Sequence, residues 1–270
     1  MTKIRDLRAA LARETVAILE RGTYTSAGGV LVDIVPWIEQ AVTGTVEYAP
    51  DAELPDPPVT AARVRIEVTA EGTFEAAHRL RDENPVALNF ASAKHPGGGF
   101  LGGAQAQEEA LARDSALYAC VKNRAMYRIN RSRDTLYSDA MIHSPGVPVI
   151  RDGDGALLDE PWRTAIITAP APNAGVWLER NPGREAVLTA TLQERARKVL
   201  AVAHRHGHDT VVLGAWGCGV FRNDPAQVAS VFRDLLQGPY AGAFDRVVLA
   251  ILDRSRDQRA LRPFREAFAA

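Results

Sequence analysis

Apolar positions along the chain follow two different periods. Over residues 3–21 they fall at Ile4, Leu7, Leu11, Val16 and Leu19 with charges between them. That is the spacing of an amphipathic helix that shows one stripe to a core and stops at Gly22. A short strand and a helix are predicted over 30–42, and Pro55, Pro57 and Pro58 supply turn chemistry. From about residue 60 the pattern alternates. Val64, Ile66 and Val68 predict a strand, 73–82 a helix, and Pro85–Phe90 a buried strand. A helix over 105–122 follows, then short strands at Met141–Ser144, Val147–Arg151 and Ala165–Thr168, and a long helix over 185–206. A strand at Thr210–Leu213, a helix over Pro225–Leu236, a strand at Arg246–Ile251 and a closing helix complete the order. Strands alternating with helices place the chain in the α/β class, as a three-layer α/β/α sandwich around a mixed sheet. Residues 1–59 are expected to be an N-terminal helical attachment packed on a core of residues 60–270.

Composition changes this picture little. The 270 residues can bury one large core, and 46% hydrophobic with 24% charged residues is ordinary globular usage. A net charge of −1 gives no overall basic field and no expectation of a sequence-specific nucleic-acid partner. One local basic run stands out, Lys122, Arg124, Arg128, Arg131 and Arg133 with Tyr127 among them. It is either a solvated face or an attractor for a polyanion. Cys120 and Cys218 lie far apart with no Cys-x-x-Cys pair, so no disulfide framework is expected. The charged N-terminus lacks a signal-peptide core, and no run of about eighteen apolar residues could span a membrane. These features describe a soluble cytoplasmic protein. His204, His206 and His208 suit a helix C-terminus better than a metal site, and His143 reads as structural. Neither a metal nor a cofactor is expected.

Two loops carry the candidate chemistry. The first leaves the strand ending Asn89-Phe90-Ala91, passes Gly97-Gly98-Gly99 and Gly102-Gly103, and enters a helix whose first turn is Gln107-Glu108-Glu109. Ligands in open α/β sheets sit beyond the carboxyl ends of the strands. Glycines let backbone N–H groups approach a ligand, and a helix N-terminus adds unpaired donors. Acidic residues in a first turn also satisfy the macrodipole alone, so the glycine run is what favours a site. The second loop, Gly214-Ala215-Trp216-Gly217-Cys218-Gly219-Val220-Phe221-Arg222-Asn223, follows an apolar strand and precedes a helix with Asp224 at its N-cap and Pro225 after it. Such spacing suits a diphosphate, with Trp216 supporting the loop from behind, although a plain tight turn has the same composition. His95, in the first loop, is a candidate phosphate contact. The second loop is neither a G-x-G-x-x-G fingerprint nor a P-loop.

Gly97-Gly98-Gly99 followed after seven residues by Gln107-Glu108-Glu109 resembles the signature of poly(ADP-ribose) glycohydrolases, which have the macrodomain fold. Gly214–Phe221 resembles that family's diphosphate loop, and Tyr137–Pro145 is similar to a stretch of its compact bacterial branch. The resemblance implies hydrolysis of ribose–ribose O-glycosidic bonds in poly(ADP-ribose), with ADP-ribose as product and ADP-ribosylated proteins as partners. It implies Glu109 as catalytic acid and Glu108 as the group that fixes the reacting ribose. Asn89, Ala91, Gly97, Gly98, Gly99, Gln107, Gly217, Cys218, Gly219, Val220 and Phe221 would then line the ADP-ribose site, with Phe221 against the distal ribose. Ser92 stands where the animal enzymes carry Asn, and their large helical accessory region is absent from this sequence. The same cleft suits a non-catalytic ADP-ribose-binding module or a hydrolase of other ADP-ribose adducts, which release of ADP-ribose from polymer would discriminate. Adjacent helical residues project about 100° apart, so the two glutamates cannot flank a sugar from opposite faces. One of them must act as acid and then as base. With substrate bound, desolvation and the charge of Glu108 are expected to raise the Glu109 pKa against the helix N-terminus.

Overall fold

The computed structural model describes residues 2–60 and 63–269. The chain opens with helix α1 (Thr2–Arg21), hairpin strands β1 (Thr23–Thr25) and β2 (Leu31–Asp33), helix α2 (Val35–Gly44) and strand β3 (Val46–Tyr48). Strand β4 (Arg65–Thr69), helix α3 (Thr73–Arg79) and strand β5 (Pro85–Phe90) lead to the first glycine-rich loop. Three short helices follow, α4 (Gln107–Asp114), α5 (Leu117–Val121) and α6 (Ala125–Arg131), before the long strands β6 (Met141–Arg151) and β7 (Leu157–Ala169). Helices α7 (Ala174–Arg180) and α8 (Glu185–Arg205), strand β8 (Thr210–Leu213), helix α9 (Pro225–Gln237), strand β9 (Arg246–Ala250) and helix α10 (Leu261–Ala267) complete it.

Seven strands form one mixed sheet in the order β3-β6-β7-β5-β8-β9-β4. β7, β5, β8, β9 and β4 run parallel, and β6 is antiparallel to both β7 and β3. The central strands are apolar on both faces because helices cover both, as parallel strands require. On one face α8, α9 and α10 enclose a core that includes Leu88, Leu200, Trp216, Phe232 and Phe264. On the other, α2, α4, α5 and α6 pack around Leu111, Leu117, Met126 and Ile142. This is the three-layer α/β/α arrangement expected from the sequence. Because β5, β7 and β8 are parallel and in register, their carboxyl ends lie side by side, and both glycine-rich loops leave from that edge.

Helix α1 corrects the expected stripe. Ile4 and Leu7 are 58% and 60% exposed, while Ala9, Ala12, Thr15 and Ile18 are buried. The reason is close approach to the first glycine-rich loop. Arg5 Nε donates to Gly102 O at 2.9 Å, and a Cβ at Gly103 would lie 2.1 Å from Arg5 O. Small side chains permit that spacing and leucines do not. Thr15 Oγ1 then donates to Arg113 O at 2.6 Å, and Arg151 pairs with Glu14 at 2.7 Å.

Two further expectations are revised. The helix over 105–122 breaks at Ser115, whose backbone is extended and bridges Val149. The Ser115 hydroxyl donates to Leu111 O at 2.7 Å and accepts from the Leu117 N–H at 3.1 Å, so it closes one helix and starts the next. The two strands expected over 141–151 are one strand whose register shifts between Ser144 and Val147, where Gly146 has φ +53°. His143, His206 and His208 come together away from both loops. The His143 and His208 Nε2 atoms are 2.9 Å apart, and the rings of His143 and His206 stack at 3.6 Å. Among the described residues no group of three or more His, Cys, Asp or Glu is arranged to hold a metal.

Arg195 of α8 ties the strand ends together. Its guanidinium is 1% exposed and donates to Asp139 Oδ1 at 2.8 Å and Pro170 O at 3.1 Å. Removing one partner of a buried ion pair costs about 3–5 kcal/mol. Arg195→Met is therefore expected to lower the urea midpoint by a destabilisation toward the lower end of that range, because Asp139 keeps some solvent contact. Equilibrium unfolding with an unchanged m-value checks it.

Candidate active site

The first loop is built around the start of α4. Gln107 supplies the hinge. Its Oε1 accepts from the Phe90 N–H at 2.8 Å, and its Nε2 donates to Leu88 O at 2.8 Å and Thr73 Oγ1 at 3.0 Å. One amide thus extends the β5 hydrogen-bond ladder and fixes where α4 begins. Glu108 and Glu109 follow in the first helical turn with the glycine run folded over them.

The glycines hold the glutamates. Gly99 N–H donates to Glu109 Oε1 at 3.0 Å, and Ser92 N–H donates to Glu108 Oε2 at 2.6 Å. Gly98 has φ +59°, and a Cβ there would lie 2.4 Å from Glu109 Oε1 and 2.9 Å from Glu108 Oε2. Only glycine combines that backbone conformation with so close an approach to two carboxylates. The sequence assigned the triple glycine to closure over a ligand, whereas here its backbone also positions the acids. Ser92 adds a turn, its hydroxyl accepting from the His95 N–H at 3.2 Å, and His95 itself is exposed.

Burial falls on Glu108 rather than Glu109. Glu108 is 4% exposed, and Glu109 is half-buried. Desolvation pushes the Glu108 pKa up to about 8. The Ser92 N–H opposes this, the charge of Glu109 adds to it, and the Asn89 amide and Gly97 N–H oppose it more weakly. Glu108 Oε1 and Asn89 Oδ1 are both buried acceptors without a donor among the described residues, although Asn89 Nδ2 donates to Thr168 Oγ1 at 3.2 Å. An orphaned buried acceptor costs about 1–3 kcal/mol, and a proton on Glu108 supplies a donor. Tyr127, 2% exposed and without a hydroxyl partner among the described residues, feels the same carboxylate. Ala91 is fully buried beneath the loop, its N–H donating to Ala169 O at 3.3 Å.

The second loop is braced from below. Trp216 is fully buried and its Nε1 donates to Ala169 O at 3.0 Å, as expected for a support residue. Asn223, unassigned by the sequence, donates to Pro172 O at 2.8 Å and Gly217 O at 3.1 Å. Gly217 takes φ +73°. The Cys218 N–H is already paired with Ala215 O at 3.2 Å, and the Asn223 and Arg222 N–H groups with Gly217 O and Gly219 O. The N–H groups of Gly217, Gly219, Val220 and Phe221 have no acceptor among the described residues, which leaves a concavity of donors suited to an anion. Burial pushes the Cys218 thiol up to about 12, so its sulfur is no nucleophile. Val220 is 86% exposed at the rim.

Tyr137 joins the two loops, a residue the sequence placed only in a similar stretch. Its ring packs on Phe221 at 5.7 Å, and Lys94 of the first loop lies over it at 5.9 Å. Tyr137 has φ +62°, a conformation that tertiary contacts must hold.

A carboxylate pair under one glycine loop, with a second loop of free N–H donors at the same sheet edge, is the arrangement a macrodomain-type glycohydrolase calls for. Residues 12–152 match the family profile described as "Microbial-type PARG, catalytic domain". The chain is similar to the crystal structure of poly(ADP-ribose) glycohydrolase from Thermomonospora curvata, with 48% identity, a TM-score of 0.90, and coverage of 97% of this chain and 100% of that one. The same enzyme bound to the inhibitor ADP-HPD gives a TM-score of 0.89 at 48% identity, with the same coverage. Poly(ADP-ribose) glycohydrolase from Deinococcus radiodurans in complex with ADP-ribose gives 0.82 at 47% identity over 86% of this chain and 97% of that one. No curated protein sequence matches the chain. The chain belongs to the microbial-type poly(ADP-ribose) glycohydrolase family.

The raised Glu108 pKa has a definite sign in stability. A carboxyl whose folded pKa lies above its unfolded value stabilises fully below the unfolded value, near 4.5, and loses that contribution as pH rises through about 8. Relative to wild type, Glu108→Gln is expected to gain melting temperature progressively from about pH 5 to about pH 8.5. A difference that stays flat across that range would contradict a buried, protonated Glu108.

Proposed function

We propose that this chain cleaves the ribose–ribose linkage of poly(ADP-ribose) with Glu109 as general acid and then general base, releasing ADP-ribose. The observation that carries the assignment is the Gly99 N–H on Glu109 Oε1 at 3.0 Å beside a buried Glu108. One Glu109 oxygen is anchored by backbone, and Oε2 has no partner among the described residues and is the one that reaches a substrate. The two carboxyl groups leave the same helical turn and cannot act from opposite sides of a sugar, so a two-carboxylate displacement is not built here.

Glu109 delivers its proton to the departing ribose oxygen as positive charge develops on the anomeric carbon, then takes a proton from the incoming water. Glu108 Oε1, which has no donor among the described residues, takes up a hydrogen bond with the reacting ribose and fixes the sugar. The free N–H groups of Gly217, Gly219 and Val220 receive the diphosphate, whose negative charge favours the oxocarbenium-like state. Phe221, pressed by Tyr137, packs on the distal ribose. Gly97, Gly98 and Gln107 act by positioning the acids, and Asn89 and Ala91 shape the floor. ADP-ribosylated proteins in the cytoplasm are the proposed carriers of the polymer. No helix among the described residues is long and apolar enough to cross a membrane.

General acid–base catalysis contributes typically about 10²–10⁴-fold. Glu109→Gln is therefore expected to lower kcat on polymer by about 10³-fold or more while ADP-ribose still binds with an affinity near that of wild type. Near-normal turnover in that variant removes Glu109 from the mechanism. Phe221→Ala leaves the acid in place, and its expected effect is a loss of substrate positioning of about ten-fold in kcat/KM, about 1.4 kcal/mol. Steady-state kinetics on defined oligomers reads both.

A further inference from the structure

The basic run that the sequence left open becomes a surface with a definite position. Arg124 leaves it, because its guanidinium is half-buried and donates to Cys120 O at 2.8 Å and Val42 O at 3.0 Å. Lys122, Arg128, Arg131 and Arg133 are exposed, and among the described residues none of the four makes an ion pair or side-chain hydrogen bond. Arg128 and Arg131 lie three residues apart on α6, hence one above the other on its solvent face. The opposite face of α6 is fixed, with Met126, Tyr127 and Asn130 buried and the first-turn Met126 N–H donating to Glu47 of β3. Four exposed cations without an ion pair among the described residues thus sit on a fixed support.

The support also leads into the cleft. Asn130 Oδ1 accepts from both the Ser138 N–H and hydroxyl at 2.8 Å, which stitches α6 to the segment bearing Tyr137. Thr135 O accepts from the Asn173 N–H at 2.8 Å, which binds the same segment beside the second loop. Tyr137 then touches Phe221 and lies under Lys94. Two acidic residues interrupt the segment, of which only Asp139 has an ion pair among the described residues. Asp134 Oδ1 accepts from the Leu136 N–H, and Asp139 pairs with Arg195.

We infer that Lys122, Arg128, Arg131 and Arg133 form a track that holds the poly(ADP-ribose) chain beyond the unit in the cleft, through its diphosphates. The inference rests on the polymer-cleaving reading of the site. Its chemistry is charge complementarity. Each repeat of the polymer presents a diphosphate, and the arginines offer forked donors suited to phosphate oxygens. The track lowers KM for long chains and leaves the chemical step alone.

The test compares wild type with the Arg128→Ala/Arg131→Ala/Arg133→Ala variant. Kinetics are measured on polymer of twenty or more units and on a two-unit oligomer, and ADP-ribose binding by calorimetry. The expected result is a KM for long polymer raised on the order of ten-fold, with kcat, two-unit kinetics and ADP-ribose affinity unchanged. The slope of log KM against log salt should become shallower by about two, as loss of three phosphate contacts on a single-stranded polyanion implies. Equal KM values on long polymer would overturn the track. So would a parallel loss on the two-unit oligomer, which would place these arginines in the cleft. A second arm measures binding of fluorescent long polymer to Glu109→Gln with and without the three alanines, and competition by duplex DNA. Weaker binding in the combined variant supports the track even if turnover is absent, whereas equal competition by DNA mass for mass makes the face a nucleic-acid surface and overturns it. A wild type that cleaves neither long nor short chains sinks the hydrolase reading instead, and the binding arm still reads the track.

Discussion

Two backbone N–H groups set the geometry on which the site depends, those of Ser92 and Gly99 donating to Glu108 and Glu109. A helix start normally leaves its carboxylates free to rotate in water. Here a glycine run bends back over the first turn of α4 closely enough that a single Cβ at Gly98 would collide with both side chains. The rest of the fold serves that contact. Gln107 welds the helix start to the end of β5, Ala12 and Thr15 bring α1 against the far side of α4, and Arg5 clips the loop at Gly102. Removing freedom from the acids is what the N-terminal helix contributes to the site.

The two glutamates, identical in type and adjacent in sequence, are separated by environment. Glu108 is drawn beneath the loop among Asn89, Ala91 and Tyr127, where desolvation makes ionisation costly. Glu109 stays at the boundary with one oxygen anchored. In the proposed reaction, that difference in environment is how two acids at one helix turn take different roles. In the proposed reaction the opposing loop needs no charged side chain for an anion. Trp216 and Asn223 hold its backbone so that unpaired N–H groups face the cleft, a preorganised positive surface that binding does not have to assemble.

Much of this was legible in the residues. Short buried apolar runs placed β5 and β8, the Asp224-Pro225 pair marked the start of α9, and Gly97-Gly98-Gly99 with Gln107-Glu108-Glu109 pointed to the candidate site. What was not legible depends on long-range contact. The face of α1 turned from leucines to alanines because a loop distant in sequence approaches it, and period alone cannot see that. Ser115 broke a helix through a local hydroxyl bond that helix propensity averages over. Tyr137 carried no glycine or charge signal, so its bridge between Lys94 and Phe221 emerged only with the fold. Desolvation of Glu108 rather than Glu109 required knowing which side of α4 faces the sheet.

The direct test of a single proton-delivering carboxyl is a crystal structure of the Glu109→Gln protein with a two-unit ADP-ribose oligomer. The expected result is the substituted side chain at that position within about 2.6–3.2 Å of the oxygen that joins the two riboses, with the diphosphate against Gly217 and Gly219. That side chain turned to bulk solvent, or the linking oxygen lying nearer to Glu108, would contradict it.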